Sequence, residues 1–222
     1  MTTRRSYHDA CAASHGLDLI GERWALLVVR ELMLGPKRFT DLRSGLSGVS
    51  ANVLTQRLTE LEETAVVRRR KLPPPASAWI YELTEWGYEL EPVIMALGRW
   101  AARSPGLMRE VPMGADSLIL SFRTMFDPAA AAGVRVCLVF HLGDDRFTAE
   151  VNDGTLRAER GSPERPDAVV TAADPTVIAG LVYGGQDLEA FIQAGAVQVT
   201  GDRAALERFT RLFPMPTPAP AA

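Results

Sequence analysis

Between Ser50 and Thr64 three leucines, Leu54, Leu58 and Leu61, recur at the spacing of one helical face. With Leu54 at zero on a helical wheel, the other two lie within about 40 degrees of it, while Asn52, Gln56 and Thr59 fall near the opposite side. Ser50 stands where an N-cap belongs, so the pattern predicts a helix from Ala51 to about Thr64. A helix this short is marginal alone in water, so its leucines need partners. The flanking sequence supplies them. Trp24 to Leu34 is a second apolar helical stripe, stopped by Gly35-Pro36. Lys37-Arg38-Phe39 reads as a short extended piece, and Thr40 offers a cap for a helix from Asp41 to about Leu46, with Gly45 and Gly48 flanking the turn. Val66–Lys71 and Trp79–Leu83 read as strands joined through Pro73-Pro74-Pro75-Ala76-Ser77, and Thr84 caps a long helix from Glu85 to about Ala102. Three helices, a strand pair with a connecting wing and a final helix make a mainly-α winged helix-turn-helix.

The outward side of the Ser50–Thr64 helix has an unusual chemistry for a solvated face. Asn52, Thr55 and Gln56 crowd its first two turns in place of Glu and Lys. Amide side chains can pair bidentately with adenine, and threonine can meet a thymine methyl. The plain alternative is a set of exposed polar residues with no partner. The neighbouring helix and the basic strand shift the weight toward a helix whose first turns enter a major groove. Ser50 and Arg38 lie beside that end. Arg57 falls on the boundary between the faces, within reach of a phosphate or of Glu60. Arg68, Arg69, Arg70 and Lys71 would meet backbone phosphates, which position a protein without reading sequence.

The net charge of −3, taken alone, opposes a nucleic-acid partner. Its distribution removes the objection. Residues 1–103 carry 14 Lys and Arg against 12 Asp and Glu, and the rest of the chain carries 10 against 15. A local basic edge suffices to bind phosphates.

Arg103-Ser104-Pro105-Gly106 punctuates the helical half, so a winged helix-turn-helix domain is expected over 1–103 and a linker over 104–115. Residues 116–213 follow another rhythm. A helix is expected from Asp116 to about Ala132, then strands over Val134–Phe140, Phe147–Val151 and Thr155–Glu159, the last two joined by the hairpin signal Asp153-Gly154. Ala168–Thr171 and Val197–Val199 add strands, and Thr176–Tyr183, Leu188–Ala194 and Ala204–Phe213 add helices. This makes an α+β domain with a mainly antiparallel sheet. A proline-rich tail, extended or disordered, fills 214–222. The whole is multidomain.

Several classes are disfavoured. No apolar run approaches the roughly 18 residues of a membrane span, and the first residues carry no apolar stretch of the kind that directs secretion. Two cysteines need no disulfide framework, so a cytoplasmic setting is expected. There is no nucleophile elbow, phosphate-binding glycine loop or Cys-x-x-Cys, so neither catalysis nor a cofactor is expected. His8, Cys11 and His15 would share a face if one helix covered all three, but a metal site lacks an obvious fourth ligand. Cys11 stands either as a redox sensor or as a buried small residue at a dimer contact.

Taken together, Cys11 with Leu17 and Ile20-Gly21-Glu22-Arg23-Trp24, Leu32 with Gly35-Pro36-Lys37-Arg38-Phe39, Val53-Leu54-Thr55-Gln56-Arg57-Leu58 and Tyr81-Glu82-Leu83-Thr84-Glu85-Trp86-Gly87 resemble the HxlR family of MarR-like regulators. The resemblance implies a cytoplasmic homodimer paired through its terminal helices on a pseudo-palindromic double-stranded DNA operator. Three positions depart from the family pattern: Ala12 for proline, Glu22-Arg23 for Gly-Lys, and Ala65 for glycine. Residues 116–213 resemble a sterol carrier protein type-2-like domain through Asp153-Gly154, Pro166–Val170 and Gly195–Asp202. That resemblance implies a small apolar ligand with Phe122, Phe140, Phe147, Leu181, Phe191 and Phe209 as candidates to line its cavity, although ordinary core packing is the stronger account of any one of them. Three readings follow: a ligand-controlled transcription regulator, a lipid carrier with a helical dimerisation module, and a regulator sensing oxidants through Cys11.

Overall fold

The computed structural model describes residues 6–108 and 111–220. Two compact units divide at Ile94 and Met95. The expected linker at 104–115 lies beyond this division, and its residues 109–110 are outside the described ones. No helix among the described residues is long and apolar enough to cross a membrane.

In the first unit α1 (Ala12–Ile20), α2 (Ala25–Leu32), α3 (Phe39–Gly45) and α4 (Ala51–Glu63) precede a hairpin of β1 (Val67–Lys71) and β2 (Trp79–Leu83), then α5 (Glu85–Tyr88) and the start of α6 (Glu91–Ala101). The α4 boundaries follow from local chemistry. Ser50 Oγ accepts the Val53 N–H at 3.3 Å, and Leu54, Leu58 and Leu61 are fully buried. Ala65 follows the helix at φ +56, a conformation that costs a residue with a Cβ about 1 kcal/mol relative to glycine. Thr84 Oγ1 donates to the Ala65 carbonyl at 2.7 Å and holds the turn.

Two expected helices differ. The helix predicted to run from Glu85 to about Ala102 is broken after Tyr88, because Pro92 has no N–H and its ring clashes with the carbonyl four residues back. α3 begins at Phe39, not after a Thr40 cap. The Asp41 carboxylate accepts the Arg38 backbone N–H at 3.2 Å and closes the first turn there.

A buried carboxylate on α2 lies against the end of α3. Glu31 is 2% exposed and accepts from Lys37 Nζ at 2.7 Å and from Arg30 at 2.8 Å. A Cβ on Gly45, at the end of α3, would lie 2.4 Å from its Oε2. Only glycine lets the helix end approach so closely. Lys37 also exchanges backbone hydrogen bonds with Tyr81 at 3.0 and 2.8 Å, an isolated bridge that ties the segment before α3 to the two-stranded hairpin.

The second unit holds the end of α6, α7 (Ala115–Met125), β3 (Arg135–Leu142), β4 (Asp145–Asn152), β5 (Thr155–Arg160), β6 (Ala168–Ala172), α8 (Pro175–Tyr183), α9 (Leu188–Gln193), β7 (Gln198–Gly201) and α10 (Arg203–Thr210). The sheet order is β5-β4-β3-β6-β7, antiparallel except where β6 runs parallel to β3. Asp153 and Gly154 both have positive φ, as the expected two-residue hairpin turn requires. α7 stops at Met125, short of the predicted Ala132, because Pro128 bars the helix. Asp174, Asp187 and Asp202 cap α8, α9 and α10, each accepting a backbone N–H between 2.8 and 3.0 Å.

Candidate nucleic-acid interface

The first two turns of α4 present a continuous exposed surface. Asn52, Thr55, Gln56 and Thr59 are all exposed, as are Ser50 and Arg38. Their availability differs. Thr55 Oγ1 donates back to the Ala51 carbonyl and Thr59 Oγ1 to that of Thr55, so their methyl groups are the more available surface. Gln56 Nε2 donates to Glu60 at 3.0 Å, leaving its carbonyl oxygen as the open function. No such restraint is described for Asn52. Val53, exposed beside it, was not singled out from the sequence, yet its methyl groups suit contact with thymine.

Arg57 requires correction as a DNA contact. It is 6% exposed, bonds Glu60 and lies 3.7 Å from the Glu22 carboxylate. Its boundary position resolves inward because two acids wait there. Glu22, one of the departures from the family pattern, is mostly exposed and makes the longer of the two contacts, the shorter being to Glu60 on α4 itself.

The four wing cations also divide. In the β1–β2 register Arg68 lies opposite Glu82, Arg69 opposite Tyr81 and Lys71 opposite Trp79. Glu82 is 7% exposed and takes both Arg68, at 2.7 Å, and Arg70, at 3.1 Å. The Arg70 fork first, with Arg68, holds its carboxyl below the usual carboxylate range. The stabilisation from a depressed carboxylate is complete above its unfolded pKa and disappears as pH falls through the folded value. On the other side Arg69 stacks over Trp79 at 4.4 Å and Tyr81 at 5.8 Å, which presents an oriented cation. Arg68 and Arg70 thus share one carboxylate, which offsets half of their combined charge, whereas Arg69 and Lys71 have no carboxylate opposite them in the register. Glu82→Gln is expected to tighten binding to random duplex and steepen its salt dependence by about 0.9 per freed cation that meets a phosphate. An unchanged slope in salt titrations would mean that Arg68 and Arg70 face away from the duplex.

Cys11 is exposed and occupies the N-cap of α1. The backbone N–H of Ser14, then that of Ala13, lowers its thiol pKa. His8 has φ +51 and lies before the helix, so the helical face expected to join His8, Cys11 and His15 does not form. No group of His, Cys, Asp and Glu among the described residues has the arrangement of a metal site. Cys137 contrasts with Cys11: burial raises its thiol pKa.

The residues expected around an apolar ligand are packed largely as core. Phe122 meets Phe140 at 5.6 Å, Phe209 at 5.3 Å and Phe213 at 5.1 Å between ring centroids. Phe147 is fully buried under the Arg160 guanidinium at 4.7 Å, and Leu181 is buried on α8. Phe191 alone is half-exposed.

Comparison with known proteins separates the chain along similar lines. Residues 19–106 match the HxlR-like helix-turn-helix family, and residues 102–219 match the alkyl sulfatase C-terminal family. The HTH-type transcriptional regulator YodB of Bacillus subtilis is 40% identical over 84 residues, which are 38% of this chain and 75% of YodB. The uncharacterized HTH-type transcriptional regulator YvaP of the same organism is 35% identical over 38% of this chain and 79% of its own length. Among solved structures, the reduced form of YodB from B. subtilis is 34% identical over 44% of this chain and 97% of that one, with a TM-score of 0.40.

Proposed function

The chain belongs to the HxlR-like helix-turn-helix family and carries a second domain of the alkyl sulfatase C-terminal family, and on that premise we propose a homodimeric operator-binding regulator controlled through the Cys11 thiol. DNA-binding transcription regulation is the function of its first unit. The exposed amide and methyl surface of α4, with Arg69 and Lys71 on the wing, supports reading of a pseudo-palindrome whose half-sites lie about one helical turn apart. Pairing is supported by two helices with no buried residue of their own. On α1 Leu17 is 52% exposed, and α6 exposes the stripe Val93, Leu97 and Trp100. A second copy covering both removes them from water.

The observation that carries the thiol reading is the Cys11 sulfur, exposed at a helix N-terminus where the first-turn N–H groups favour thiolate. The thiolate attacks a peroxide oxygen, forming sulfenic acid and releasing the alkoxide or hydroxide, which takes a proton from water. YodB is itself described in a reduced form. Operator release by peroxide is expected in the wild type and in Cys137→Ser but not in Cys11→Ser, as followed by fluorescence anisotropy of a labelled operator. The same release from Cys11→Ser counts against the reading.

A further inference from the structure

The second unit carries a groove that neither operator reading nor Cys11 uses. It is an open depression of about 370 Å³ bordered by Arg99 and Trp100 from the end of α6, by Arg103 just after it, by Thr124 and Met125 from the end of α7, and by Pro214 and Pro216 from the tail. The tail was expected to be extended or disordered. It is extended and tied down, with the Ala219 N–H donating to the Arg103 carbonyl at 2.7 Å. At its start Phe213 is buried among Phe122, Phe126 and Phe209, so this wall is anchored at both ends. The opposite wall is equally close-packed, since a Cβ on Gly98 would lie 3.1 Å from Thr124 Cγ2.

Within this apolar setting stand two cations one helical turn apart. Arg99 Nε donates to the Thr124 carbonyl and Arg103 Nε to the Thr217 carbonyl, the latter at 3.1 Å. Those bonds orient both guanidiniums while leaving their terminal amino groups for another acceptor. Among the described residues neither has a carboxylate partner. Two guanidinium forks with no acid, above Trp100, Met125 and two prolines, complement an anion with an apolar body.

We propose that this groove binds a small amphiphilic monocarboxylate, its carboxylate held by Arg99 and Arg103 and its hydrocarbon laid over Trp100, Met125, Pro214 and Pro216. The volume suits a small molecule. An uncharged lipid leaves both cations without a partner, and a bare inorganic anion leaves the apolar walls wet. Trp100 also ends the exposed stripe of α6, so the ligand and a second copy of the chain address the same side chain.

The test uses the full chain with octanoate, 1-octanol and acetate as probes. Indole N–H resonances are followed by NMR, that of Trp100 being assigned by its loss in Trp100→Phe. Octanoate is expected to shift the Trp100 signal saturably, with 1-octanol and acetate each binding at least about tenfold more weakly. The double variant R99Q/R103Q is expected to lose at least about tenfold in octanoate affinity while keeping wild-type operator binding. Octanol binding as tightly as octanoate, a shift confined to Trp24, Trp79 or Trp86, no shift at all, or full octanoate affinity in R99Q/R103Q overturns the proposal. Should that variant fail to fold, the three-probe comparison at Trp100 in the wild type decides alone. Operator binding and the Cys11 response are read separately, so either can fail while this site stands.

Discussion

Alanine at Asn52 is expected to lower affinity for the specific operator by about 5- to 150-fold, the equivalent of roughly 1–3 kcal/mol for one lost bidentate base pairing. Asn52 is exposed in the first turn of α4, where a helix entering the major groove makes its base contacts. No intramolecular hydrogen bond is described that its amide would have to break first. Gln56 is different: its Nε2 already donates to Glu60, so reading a base costs that bond and Gln56→Ala should lose less. Both substitutions spare the buried leucines, so the melting temperature should hold. Random-sequence duplex should be bound within about twofold of wild type, because phosphate contacts carry that affinity. Parallel titrations with operator and random duplex separate the outcomes. Equal losses on both would remove Asn52 from base reading.

Phe122→Ala is expected to destabilise the second unit by about 3–5 kcal/mol, the range for removing a large aromatic from a closed core. Phe122 is fully buried and its ring lies within 5.6 Å, centroid to centroid, of Phe140, Phe209 and Phe213. Those neighbours hang from the sheet, from α10 and from the start of the tail, so the site cannot collapse easily. A loss of that size is a large fraction of the roughly 5–15 kcal/mol that holds a typical domain together. Urea unfolding followed by circular dichroism measures it. A loss below about 1 kcal/mol would mean that Phe122 borders a space, and would restore an internal apolar ligand site.

The α4 helix was legible within a residue at its C-terminal end and without error at Ser50. The reason is physical: a cap, a leucine stripe and a terminating turn are local signals, all within about four residues of what they control. The same holds for β2 and for the Asp153-Gly154 turn. The break at Pro92 and the aspartate caps of α8, α9 and α10 were equally local and could have been read. The pairing of Glu82 with Arg68 and Arg70 needed the register of β1 on β2, which the loop between them allows but does not dictate.

From the order of its residues alone, the chain settles which segments become helices and strands and which α4 side chains lack an apolar reason to be buried. Those outcomes depend on neighbours in sequence, where covalent spacing already sets the geometry. Which cations remain available is decided only when distant acids arrive. Arg57 is buried against Glu60 with Glu22, 35 positions earlier, 3.7 Å away, and Arg70 shares with Arg68 an acid 12 positions later. Likewise the groove at Arg99 and Arg103 exists only because the tail folds back more than 100 residues to form one wall. Coulomb attraction and packing act through space, and the chain must close on itself before either can choose a partner.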